Sequence, residues 1–169
     1  MTRLTLAFFG GFQVFIDDRS VGEFESDRIR ALLAFLAVES DRPHQRDSLA
    51  GLLWPDWPDR SARTNLRNAL ASLRSAIGDR EADPPFLLIS RETIQFNPAS
   101  EHWLDVAVLE QALTTEDIQA LQAAADLYSG PFLQGFSLKD SDSFEDWRLL
   151  TGERLQRQAI SARTRMTGR

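Results

Sequence analysis

The sequence predicts an α+β fold: a small N-terminal β-sheet, three helices and a β-hairpin, followed by an all-helical segment. Three patterns predict it. Apolar residues alternate in two short runs at the start, recur at helical spacing across residues 27–77, and alternate again just before residue 97.

Leu4, Leu6 and Phe8 alternate with polar or small residues, and Phe12, Val14 and Ile16 do so after Gly10-Gly11, which reads as a hairpin of half-buried strands. Residues 17–20 read as a turn and 21–24 as a short third strand. Ser26 offers an N-cap to a helix over 27–39, whose Ile29, Leu32, Leu33 and Leu36 share one face. Pro43 blocks its continuation, and a short helix over 46–53 ends at Pro55. WPDWPD at 54–59 predicts a rigid corner with both indoles packed beneath it and Asp59 as the next N-cap. The third helix, over 60–77, carries Leu66, Leu70, Leu73 and Ile77 in one stripe and stops at Gly78. After the loop at Asp83-Pro84-Pro85, residues 86–90 and 93–96 read as a hairpin turning at Arg91-Glu92.

Beyond a boundary near 97–100, residues 104–113, 116–128 and 142–166 are helical patterns with no strand signal between them. Thr114 with Asp117, and Ser143 with Asp146, have capping-box spacing. Trp54, Trp57, Trp103 and Trp147 are expected to pack in the core, and Phe132 and Phe136 to cover the helical segment.

Composition narrows the function classes. The 169 residues have ordinary globular content, 43% hydrophobic and 26% charged. With no cysteine, disulfides and thiolate metal sites are excluded. His44 and His102, the two histidines, lie far apart, so no metal spacing exists. Gly10-Gly11 lacks a following Gly-Lys-Ser/Thr, and no nucleophile elbow is present. The expectation is a protein with no catalysis, metal or cofactor. No apolar run reaches the ~20 residues of a membrane helix, and the start does not read as a signal peptide, so a cytoplasmic protein is expected.

The net charge of −6 opposes a nucleic-acid partner in sum, yet its distribution does not. Between residues 60 and 78 stand Arg60, Arg63, Arg67 and Arg74 with no Asp or Glu. The second and third predicted helices meet at a short corner, the helix-turn-helix arrangement. A helix fits the major groove, and small polar residues let its backbone approach the base edges. Thr64, Arg67, Asn68 and Ala71 therefore form the expected major-groove face, with Ser61 and Ser75 at its ends. Arg60, Arg63 and Arg74 flank it as phosphate contacts, though Arg63 or Arg74 can instead pair with a carboxylate. Arg91, at the hairpin turn, is placed for the minor groove or a phosphate, or is simply solvated. The plain alternative for the whole helix is an amphipathic surface element with solvated arginines.

WPDWPDRSARTNLRNALASLRSAIGD (54–79) resembles the recognition-helix region of the Streptomyces antibiotic regulatory protein (SARP) family, whose DNA-binding domain is an OmpR/PhoB-type winged helix. LTLAFFGGFQVFIDD (4–18) and SDRIRALLAFLAVES (26–40) are similar to that family's start. LDVAVLEQAL (104–113), LYSGPFLQGF (127–136) and FEDWRLLTGERL (144–155) resemble the start of its bacterial transcriptional activator domain. Where the family carries a Gly-Tyr pair near the second wing strand, this chain reads SRETIQF (90–96).

The resemblance implies a winged-helix domain over 1–97 and the first part of a longer, helical-repeat-like (TPR-like) activator domain over 101–169. It implies a sequence-specific transcriptional regulator, an activator, bound to double-stranded DNA at a direct-repeat operator. RNA polymerase and a second copy of the chain are the implied protein partners. The alternative is a protein-interaction scaffold whose winged helix does not bind DNA.

Overall fold

The computed structural model describes residues 2–167. In the N-terminal hairpin, β1 (Leu4–Ala7) buries Leu4 and Leu6 and pairs antiparallel with β2 (Gln13–Ile16), in the register Leu4↔Ile16 and Leu6↔Val14. The third strand, β3, is Arg19–Ser20 rather than 21–24. Asp17 takes a positive φ of 52°, so the chain reverses within Asp17-Asp18 and pairing with β2 resumes at once. Phe24 then leaves the sheet to meet Phe12 edge-on at 5.7 Å.

Helix α1 (Asp27–Val38) starts where Ser26 Oγ accepts the Ile29 N–H, and it buries Ile29, Leu32, Leu33 and Leu36. A two-residue strand that the sequence pattern did not signal, β4 (His44–Gln45), leads into α2 (Arg46–Leu53). The corner at 54–59 separates α2 from α3 (Asp59–Ile77). Asp59 is the first residue of α3, not its cap; Pro58 holds the cap position and supplies no side-chain hydrogen bond. Gly78, at φ 67°, ends the helix in the left-handed conformation a Cβ would disfavour. After a 3-10 turn at Asp79–Glu81, β5 (Leu87–Ile89) and β6 (Thr93–Phe96) form the second hairpin, with β4 on the far side of β6.

After residue 100 the chain is not purely helical. β7 (His102–Leu104) pairs parallel with β1, in the register Leu4↔His102 and Leu6↔Leu104, giving the first sheet the order β3-β2-β1-β7. The following helices are α4 (Asp105–Ala112), α5 (Ile118–Leu127) and α6 (Asp142–Thr167). Two expected caps shift by a few residues. Asp117 itself caps α5 by accepting from Gln119 N, while the Thr114 hydroxyl donates to the Gln111 carbonyl. Ser141, not Ser143, accepts from Phe144 N at the start of α6.

One buried cluster runs from Leu4 through Leu73 and Phe96 to Ala162, so the first sheet, the helix-turn-helix and α4–α6 share a core. Asp105, 2% exposed, stitches it by accepting the N–H groups of Phe8, Phe9 and Val106 at 2.8–2.9 Å. Phe132 meets Phe8 edge-on at 6.4 Å and Trp147 at 5.6 Å. It therefore bridges the sheet to α6 rather than merely covering the helical segment. Among the described residues, no helix is long and apolar enough to cross a membrane.

Candidate nucleic-acid interface

Helix α3 has two chemically distinct sides. Ala62, Leu66, Ala69, Leu70, Leu73 and Ile77 are buried, and the leucine stripe faces α1 and α2. Arg60, Arg63, Thr64, Arg67, Asn68, Ala71 and Ser75 are exposed, whereas Ser61 and Arg74 are half-buried. Among the described residues, none of the exposed set is covered by the chain after residue 100.

The corner that aims α3 is fixed from α1. Arg28 Nε donates to the Leu53 carbonyl at 2.9 Å, holding the last turn of α2, and the guanidinium carbon lies 6.0 Å from the Trp54 ring. Trp54 is buried at 7% exposure, but Trp57 is 51% exposed and does not pack beneath the corner as expected. It stands beside a concavity of about 350 Å³ that also involves Glu25, Asn65 and Asn68. Two prolines hold the corner rigid without burying both indoles.

The cations on α3 differ in freedom. Arg60 and Arg67 make no ion pair among the described residues. Arg63 approaches Asp47 at 3.7 Å with both side chains over half exposed, a contact that water screens heavily. Arg74 Nε donates to Asp79 Oδ2 at 2.9 Å, and that carboxylate is 1% exposed. Thr64 Oγ1 donates to the Arg60 carbonyl at 3.1 Å, leaving its oxygen able to accept. At the N-terminus, the uncapped N–H groups attract an anion, but the Asp59 carboxylate in the first turn offsets that attraction.

The second hairpin projects beside α2. Ser90 Oγ accepts from Thr93 N at 2.9 Å and closes the turn, leaving Arg91 exposed at its tip. Arg46, at the start of α2, donates from Nε and Nη2 to the Ser90 carbonyl at 3.2 and 2.9 Å, and its own N–H meets the Glu92 carbonyl. Sequence reasoning passed over Arg46 and Asp79, because each acts through a contact made only once the hairpin folds back on the helices. The one available hint was the position of Asp79 directly after a helix-ending glycine.

No family model matches the chain. The transcriptional regulatory protein EmbR of Mycobacterium tuberculosis and of Mycobacterium bovis is 33% identical over 86 residues, covering 51% of this chain and 22% of EmbR. A solved structure of Mycobacterium tuberculosis EmbR in complex with a low affinity phosphopeptide matches with a TM-score of 0.71 at 25% identity. In sequence and in fold, the chain is similar to EmbR. The structural match covers 97% of this chain and 44% of that one, so the chain spans less than half of the solved EmbR chain. EmbR is a transcriptional regulatory protein, and the structural likeness, at 97% of this chain, extends through α4–α6 as well as the sheet and α1–α3.

Proposed function

We propose that the chain is the DNA-binding portion of a bacterial transcriptional regulator. In this reading residues 1–97 are a winged helix-turn-helix of OmpR/PhoB type, with α3 in the major groove and the β5–β6 hairpin as the wing. Residues 101–169 begin an activator domain of helical-repeat type. The observation that carries the reading is the exposed side of α3: Thr64, Asn68 and Ala71 lie opposite the buried leucine stripe, and Arg67, with no ion pair among the described residues, stands exposed on the flank beside them. Such a face lets the backbone come close to base edges while arginine reaches guanine O6 and N7.

Thr64, Arg67, Asn68 and Ala71 read bases, and Ser61 and Ser75 bound the face. Arg60, Arg63 and Arg74 hold phosphates, and Arg91 meets the backbone or minor groove beside the wing. Activation, a direct-repeat operator, and contact with RNA polymerase and a second copy rest on the resemblance to the SARP family. The phosphopeptide in the EmbR structure is a ligand of EmbR.

The test is selection of bound duplexes by the full chain from a random-sequence pool. Enrichment of one motif, repeated in tandem about one helical turn apart, is the expected result. A pool that stays unenriched contradicts the reading.

A second reading, a protein-interaction scaffold that ignores DNA, draws on α6. There Leu149, Leu150 and Ile160 are 54%, 66% and 54% exposed, large apolar side chains that a partner could cover. Failure of the selection together with capture of a protein through α6 favours it.

A further inference from the structure

Asp79 is a buried carboxylate with two partners on different elements. Its Oδ2 accepts from Arg74 Nε at 2.9 Å, and its Oδ1 accepts from the Leu87 N–H at 3.0 Å. Arg74 stands in the last turn of α3, and Leu87 opens β5. One side chain thus joins the C-terminal end of the proposed recognition helix to the base of the proposed wing. The left-handed Gly78 turns the chain so that Asp79 can reach both.

The way Arg74 is held matters as much as the fact that it is held. Only Nε is engaged, and among the described residues neither Nη has a hydrogen-bond partner. The side chain remains 31% exposed. A guanidinium anchored at Nε keeps a fixed plane and presents its two Nη groups outward, the fork geometry that suits a phosphate. An unanchored surface arginine would lose rotamer freedom on binding; this one has already lost it.

We propose that Asp79 is a positioning residue of the DNA interface, orienting Arg74 as a pre-set phosphate clamp and fixing the spacing between α3 and the β5–β6 hairpin. The inference rests on the DNA-binding reading above. It adds that an anionic side chain, which on charge alone should repel DNA, strengthens binding. Its own charge is out of reach of the duplex and already neutralised by Arg74.

The experiment is a set of anisotropy titrations of the full chain against a duplex selected from the random pool, across a range of salt concentrations. The variants are Arg74→Ala, Arg74→Lys, Asp79→Asn, the double variant Arg74→Ala with Asp79→Asn, and Arg67→Ala. Thermal melts check that each is folded. Losing one phosphate contact lowers the log–log salt slope by about 0.9, so Arg74→Ala should fall about 3.5-fold less than the parent between 50 and 200 mM salt.

The amide introduced by Asp79→Asn can accept from only one of the two donors and turns its N–H₂ toward the other. This variant is therefore expected to reproduce the loss of slope of Arg74→Ala, with the double variant no weaker than Arg74→Ala alone. Lysine restores the charge but has no Nε–H for Asp79 to hold while two further donors point outward. Arg74→Lys should therefore recover affinity only in part.

A purely structural role for Asp79 would lower the melting temperature and leave the slope of the folded variants unchanged, which overturns the proposal. So does an unchanged slope for Arg74→Ala while Arg67→Ala still weakens binding, and in that case the DNA reading stands. If Asp79→Asn does not fold, the Arg74 pair decides alone: equal binding by Arg74→Lys and the parent overturns the clamp. Absence of salt-dependent binding by the parent removes both readings together.

Discussion

Trp147 donates its indole N–H to Glu39 Oε2 at 3.2 Å, tying α6 to the C-terminal end of α1 across 108 residues of sequence. Its ring lies 5.0 Å from Phe35 and 5.4 Å from Phe144. Nearby, the Ser141 hydroxyl donates to the Leu52 carbonyl at the end of α2. The helical segment therefore grips the two helices that support α3, and among the described residues it leaves the outer face of α3 exposed.

Unfolding should reflect that grip. Urea denaturation followed by tryptophan fluorescence and by far-ultraviolet circular dichroism should give one coincident transition. Trp147→Ala should lower stability by about 3 kcal/mol. Trp147→Phe, which keeps most of the packing and loses the hydrogen bond, should cost about 1 kcal/mol. Two separated transitions in the parent would show that the two parts of the chain fold independently.

The glycines offer a sharper test with a built-in control. A Cβ on Gly130 would lie 3.1 Å from the Gly10 Cα and 2.6 Å from Gln134 Oε1, where the 129–136 loop crosses the first hairpin. Gly10, at φ 85°, would bring its Cβ to 2.9 Å from Ser129 Oγ. Alanine at either position should destabilise by about 1–3 kcal/mol. Gly51, inside α2, has nothing within 4 Å of such a carbon. Gly51→Ala should instead stabilise by about 0.5–1 kcal/mol. Thermal melts of the three variants read both signs.

His102 gives the fold a pH dependence of definite sign. Burial holds its imidazole below the ordinary value of 6.5; the Arg3 charge pushes the same way, while the Ser100 carbonyl and Glu101 push back. The unfolded chain then binds the proton more readily than the folded one. The contribution of neutral His102 is fully present above 6.5 and is lost as pH falls toward its folded value. Its ring packs edge-on against Phe96 at 4.8 Å, so the loss falls where β7 meets the second hairpin. His102→Gln does not titrate, and its stability deficit against the parent should narrow as pH drops from about 7.5 to about 5.5. A deficit that stays constant contradicts the assignment.

Much of the fold was legible because its signals are local. The Ser26 cap, the spacing of Leu66, Leu70, Leu73 and Ile77, and the Gly78 stop together give α1 and α3 within a residue or so. What escaped depends on distant chain. β7 is three residues that pair with β1, nearly a hundred residues earlier, and β4 is two residues that exist as a strand because Ile94 and Thr93 lie opposite. Neither is long enough to show alternation. Caps moved among neighbouring hydroxyls and carboxylates, since Thr114, Thr115 and Asp117 all can cap and only the packed helix start chooses. At the site, the exposed face around Arg67 followed from periodicity alone. The Arg74–Asp79–Leu87 linkage did not, because it needs the reversal at Gly78 and the return of the hairpin.

The reading of α3 as a DNA-contacting helix is tested most directly by titrating the parent and Arg67→Ala against a selected and an unselected duplex at several salt concentrations. The parent should prefer the selected duplex, with affinity falling linearly in log–log form as salt rises. Arg67→Ala should lose about 1–3 kcal/mol of that preference. Unchanged affinity and preference in Arg67→Ala, or tight binding indifferent to salt, would contradict it.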